Sequence, residues 1–230
     1  FNMEKASASE SWLEELEKEE HNPETEEYGI TSMTFKSDKM PFHPDRLSAT
    51  LTGFGDYGSA LATSSNNNDD DSIGESDEND ETHIAGANIF RGVFRSKGQI
   101  WLANANALPM EFHTAGKHLH MAPNSEEQPF LAAINKAEWE EAEQTAYEDF
   151  RKKGLWTEKF GDRRSQLVFI GMGLNKKLIH EKLTAALLTE EESAALGGMK
   201  GWRKLSDPFF GGDVYDHFEL PEPYGAPYDQ

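Results

Sequence analysis

A chain of 230 residues, 37% hydrophobic and 11% aromatic, can bury one sizeable core with room left for appendages. No run approaches the ~18 consecutive apolar residues of a membrane span, and with no cysteine there is no disulfide framework, cysteine zinc site or thiol nucleophile in these residues. The net charge of −20 is concentrated in residues 1–27, 56–82 and 207–230, which carry −8, −9 and −6, so the remainder is nearly neutral and no broad basic patch points to nucleic acid.

In chain order, Ser9–His21 predicts a short helix, with Ser9 or Ser11 as cap and Trp12, Leu13 and Leu16 on one side. Tyr28–Ser37 predicts a strand with Thr31, Met33 and Phe35 on one face. "PFHPDRLSATL" predicts a helix with Pro44 at its first position, where a missing N–H costs nothing, and His43 as cap or pre-cap residue. From Gly53 to Asn88 the pattern dissolves. "SSNNNDDDSIGESDENDET" holds one apolar residue, Ile73, too little to offset a backbone ordering cost of about 1–2 kcal/mol per residue, and reads as a disordered insertion.

Order resumes at "IFRGVFRSKGQIWLANA", read as a strand in which Ile100 and Leu102 alternate with Trp101 and Ala103. "PMEFHTAG" and "KHLHMAP" predict two further strands separated at Gly116. "KAEWEEAEQTAYEDFRKK" predicts a charged helix with Trp139, Ala142, Ala146 and Phe150 as its inward stripe. "SQLVFIGMG" reads as a buried strand. "NKKLIHEKLTAALLTEEE" predicts an amphipathic helix with Leu178, Ile179, Leu183, Ala186 and Leu187 inward. Helices flanking a run of consecutive strands indicate an α+β two-layer sandwich, helices packed on a mainly antiparallel sheet.

The sequence lacks several chemistries. Neither Gly171–Lys177 nor Gly197–Lys204 has the G-x-x-x-x-G-K-[ST] spacing with which backbone N–H groups cradle phosphates. Asn175–Leu178 ends in Leu where guanine-reading loops place Asp. There is no G-x-S-x-G nucleophile elbow and no H-E-x-x-H zinc helix, so no catalytic set is assigned.

Several stretches do carry a resemblance. "FHPDRL" (Phe42–Leu47), after Pro41, is similar to the R-P-F-H-P-x-R-L that opens the C-terminal domain of CobW-type proteins, with Met40 in place of the Arg. Gly92–Ala103 is similar to their G-V-L-R-S-K-G-F-x-W-L-A, and Phe160–Gly171 to F-G-D-R-R-Q-E-L-V-F-I-G. "LTAALLTEEE" and "GWRKLSDPF" resemble the closing segments, and "FNMEKASASESWLEEL" the last helix of the preceding GTPase domain.

The resemblance implies a parent that is a P-loop GTPase acting as a metal chaperone or insertase for zinc or cobalt. GTP with Mg and the metal would be bound in an N-terminal domain that bears a C-x-C-C motif. It implies residues 1–27 as connecting helix and linker, 28–206 as a non-catalytic C-terminal domain interrupted at about 54–88, and 207–230 as an acidic tail. The partners implied are the preceding GTPase domain, a metal-receiving client and a homo-oligomer mate, with neither nucleic acid nor membrane. The expected location is intracellular, in the cytoplasm or an organelle.

Two groups of residues stand out as sites. His118 and His120 fall on one face of a strand, and His113, with Glu111 nearby, joins them if the two strands pair across Gly116. Zinc takes three or four such ligands, so an accessory metal site is one expectation. The bland alternative is ordinary half-buried alternation with Leu119 and Met121 inward. Arg95, Lys97, Arg163 and Arg164 form the second group, expected to contact an acidic partner or the GTPase domain, or else to pair within the domain with Asp162 as a cap. His43 and Arg46 are candidates for the same interdomain contact, with capping of the first helix as the alternative for His43. A plain interaction domain is the remaining reading.

Overall fold

The computed structural model describes residues 29–52, 54, 89–116, 118–124 and 128–217. The expected helix at Ser9–His21, nearly all of the acidic insertion and the last thirteen residues lie outside these. Five strands form one sheet: β1 (Ile30–Ser37), β2 (Val93–Ile100), β3 (Met110–Ala115), β4 (His118–Pro123) and β5 (Ser165–Met172). Their order is β1-β5-β2-β3-β4, every pair antiparallel, so β1 and β4 are the edges. The helices are α1 (Pro44–Leu51), α2 (Glu141–Lys152), α3 (Lys176–Ala185), α4 (Glu190–Ala195), α5 (Met199–Trp202) and α6 (Val214–His217). This is the α+β architecture expected from the pattern.

One sheet face is covered over most of its length. Phe35 of β1, Leu167 and Phe169 of β5, Ser96 of β2, and Phe112 and Thr114 of β3 all point inward and are buried. Ile179 and Leu183 of α3 and Leu47 and Leu51 of α1 cover that side. Truncating any of the core phenylalanines to Ala is expected to cost about 3–5 kcal/mol. α1 begins as read, with Pro44 at its first position, but His43 makes no side-chain cap bond.

Several elements depart from the expectations. Ile100, Trp101, Leu102 and Ala103 do not alternate: all four are buried. The strand ends at Ile100, and the next residues run into the core, where Phe42 N–H bonds the Trp101 carbonyl at 2.9 Å and Ala103 N–H bonds the Phe42 carbonyl at 3.0 Å. β5 is not buried on both faces. Its alternation leaves Ile170 and Met172 39% and 46% exposed.

α2 buries no residue; its anchor is a half-buried rim of Trp139, Tyr147 and Trp156, with Tyr147 and Trp156 ring centroids 4.8 Å apart. Trp139 precedes the helix, and Ala142 faces water, because the packing surface is turned toward Ala146, Tyr147 and Phe150. Trp101 and Trp202 are core residues. Phe54, at the expected start of the insertion, stacks on Phe90 at 3.9 Å and is buried. The folded unit also runs past Asp207: Val214 and Tyr215 are buried, and Ala107 N–H donates to the Tyr215 hydroxyl at 3.3 Å.

Candidate functional site

The other sheet face is open, and strand register places its side chains in rows. Thr34, Val168, Lys97, His113 and His120 make one row; Ser32, Ile170, Arg95, Ala115 and His118 the next; Lys36, Gln166, Gln99, Glu111 and Ala122 the third. Arg95, Lys97, Lys36, His113, His118 and His120 are all exposed. The centre of this face is a hollow of about 1070 Å³ whose lining includes Arg95, Lys97, His113, Arg164, Val168 and Ile170.

The segment Gly92–Gly98 explains how the cations come to be there. A Cβ on Gly92 would sit 1.9 Å from the Met172 carbonyl oxygen, and one on Gly98 would sit 2.0 Å from that of Gln166, so both positions admit only glycine at this strand spacing. Val93 is core, and Ser96 is fully buried with its hydroxyl 2.7 Å from that of Thr114. The register shift between Val93 and Arg95 pushes Phe94 outward, 47% exposed. Folding thus accounts for every residue of the segment except Phe94, Arg95 and Lys97. Among the described residues neither cation has an ion-pair partner.

"GDRR" divides differently. The Asp162 carboxylate accepts from Leu131 N–H and Ala132 N–H, both at 2.9 Å, so it caps the short 3-10 turn Leu131–Ala133 rather than its own. Arg163, expected at a partner surface, is fully buried; its guanidinium donates to the carbonyls of Asn106 (2.8 Å), Phe160 (3.2 Å) and Ala132 (3.4 Å). A buried guanidinium needs such partners, since leaving one unsatisfied costs several kcal/mol. Arg164 alone of the pair reaches the hollow, stacked 5.7 Å from the Phe150 ring. Burial lowers its pKa below the usual guanidinium range, against the pull of Asp162 and Asp38.

Arg46 belongs to a structural clamp, and the half-buried His43 lies near it. Arg46 grips Glu192 through two bonds of 2.7 and 2.8 Å and the Leu187 carbonyl through a third at 2.7 Å. The Arg46 bond, seconded by Thr189 N–H, holds the Glu192 carboxyl down at about 2. His43 is lowered by burial first and by Arg46 second, with Asp45 and Glu192 opposing.

The histidines share a face, as the alternation predicts, but do not assemble a ligand set. His113 and His120 are direct cross-strand partners whose rings stack at 4.6 Å and 25°. Near-parallel stacked rings keep their in-plane lone pairs in separate, near-parallel planes, whereas a tetrahedral ion needs them to converge on one point. Among the described residues no group of three or more His, Asp or Glu side chains is placed to hold a metal. Met121 packs on the core, but Leu119 is 38% exposed because β4 is an edge strand. None of the described helices is long and apolar enough to cross a membrane.

Residues 78–187 match the family model described as the cobalamin synthesis protein cobW C-terminal domain. The chain is 33% identical over 211 residues to zinc-regulated GTPase metalloprotein activator 1 of Dictyostelium discoideum, covering 90% of this chain and 35% of the relative. It is 31% identical over 149 residues to a zinc chaperone of Mycobacterium tuberculosis, covering 62% of this chain and 34% of that protein. It therefore spans about a third of the length of these curated relatives. The Zn(II)-bound YjiA GTPase of E. coli aligns with 74% of this chain and 33% of its own at 12% identity, with a TM-score of 0.36. The glycine-bracketed "GVFRSKG" strand and the "GDRR" turn both lie within residues 78–187, and that stretch belongs to the family of CobW C-terminal domains.

Proposed function

We propose that this chain is the non-catalytic, partner-recognising C-terminal module of a GTP-dependent zinc chaperone. The names of its relatives support the zinc and GTPase assignments, and its coverage of about a third of their length leaves room for a separate nucleotide domain. GTP, Mg and the cargo metal, zinc by those names in preference to cobalt, belong on this reading to the preceding GTPase domain, since these residues carry no phosphate-cradling loop. Among the described residues the histidine face has no group of three side chains placed to hold a metal.

The observation that carries the recognition role is the asymmetry of the sheet. One face is covered over most of its length; the other keeps Arg95 and Lys97 in water, with no ion-pair partner among the described residues. The GTPase domain, a metal-receiving client or a second copy would meet the module there. Calorimetry of the 230-residue chain with Mg-GTP tests the division of labour. No binding is expected, and micromolar affinity would refute it.

A further inference from the structure

We propose that the open sheet face docks an acidic polypeptide segment with interspersed aliphatic residues. This deepens the recognition reading above and rests on it. The face has two halves. Toward β3 and β4 it presents Arg95, Lys97 and the three histidines, with Arg164 at the rim of the hollow. Toward β1 and the β2 bulge it presents Val168, Ile170 and Phe94, with Ile170 and Phe94 39% and 47% exposed. Ile170 is the direct cross-strand neighbour of Arg95, and Val168 of Lys97, so each cation has an aliphatic residue beside it.

A ligand that satisfies both halves must offer carboxylates and methyl groups at about the 5 Å spacing of adjacent strands. An acidic protein segment does. Nucleic acid does not, because its phosphates want an unbroken run of cations and its sugars give nothing to an isoleucine. Here Glu111 breaks the run, two positions from His113 on the same strand. Charge on such a rim sets specificity and association rate, while the adjacent apolar contact slows release.

The test uses the full chain and a fluorescein-labelled peptide, Glu-Glu-Leu repeated four times, read by polarisation. A Glu-Glu-Ser repeat and a twelve-residue oligo-dT are the comparison probes. The Glu-Glu-Leu peptide is expected to bind, to weaken as salt rises from about 50 to 500 mM, and to outbind both other probes. Arg95→Glu with Lys97→Glu should weaken it ~10-fold or more. Ile170→Ser should weaken it severalfold while leaving the oligo-dT signal alone.

All three side chains are exposed, so unchanged thermal melts are expected to show that the variants fold. Unchanged affinity in the charge reversal overturns the proposal, as does tighter binding of oligo-dT. Peptide binding seen only after residues 56–82 are replaced by a short linker would give the face to the chain's own acidic stretch, and would also overturn it. None of these results bears on Mg-GTP binding, which tests the module's parentage separately.

Discussion

The Arg46–Glu192 clamp joins α1 to α4 across 146 residues of sequence. Glu192 accepts two bonds from Arg46 and one of 2.9 Å from Thr189 N–H, completing the capping box of α4. Its fall from the ordinary 4.5 to about 2 corresponds at face value to roughly 3 kcal/mol. Both side chains are a third or more exposed, 34% and 40%, so solvent screening brings the pair to about 1 kcal/mol. The experiment is a double-mutant cycle on Arg46→Ala and Glu192→Gln, followed by urea unfolding at several pH values. At pH 7 a coupling energy of about 1 kcal/mol is expected.

The carboxyl is depressed in the folded state. Its contribution is therefore complete above the unfolded value near 4.5 and is lost as pH falls toward about 2. The coupling should shrink across that window. A coupling below about 0.3 kcal/mol at pH 7, within the scatter of independent sites, would refute the reasoning. So would a coupling that ignores pH.

Two further outcomes follow from the packing. In Gly171→Ala the new Cβ would sit 1.9 Å from the Gly92 carbonyl oxygen and 2.8 Å from the Val93 Cα, all rigid backbone, so β2 and β5 must part at the bulge. A loss of about 3 kcal/mol is expected, read as a lower melting temperature, and an unchanged melt would contradict the close approach. His43 favours its neutral form, chiefly through burial, so stability should decline as pH drops below 6.5 through its lowered value. His43→Asn should show a flatter decline below pH 6.5 in urea midpoints, and parallel profiles would count against the assignment.

Much of the fold was legible because local pattern and burial agree there. β1, the β3–β4 hairpin at Gly116 and the inward Ile179 and Leu183 of α3 follow from period and turn chemistry alone, but the single helix read through Glu192 breaks after Ala185, so Ala186 and Leu187 lie beyond α3 and Thr189 caps a new helix, α4. The failures share a cause: each depends on neighbours distant in sequence. Residues 100–103 look like a half-buried strand until Phe42 arrives alongside them. β5 reads as fully buried because nothing in "LVFIG" reveals that one face lacks a cover.

The site was partly legible for the same reason. Alternation in "RSKG" is enough to set Arg95 and Lys97 on one side, and the structure adds which side is open. Nothing local distinguishes Arg163 from Arg164. Their opposite fates are decided by carbonyls 31 and 57 residues away in one case, and by the Phe150 ring in the other. The histidine spacing was right about the shared face and silent about ring orientation, on which ligation depends.

Arg163 holds the backbone carbonyls of Asn106, Ala132 and Phe160 in one hand, and those residues sit on three separate connecting stretches. None of the three can loosen without leaving a buried charge short of a partner, so they open together or stay closed. What looks like a set of independent loops is a single cooperative unit. The part of the molecule with the least regular secondary structure thereby gains a local rigidity that its composition alone would deny it.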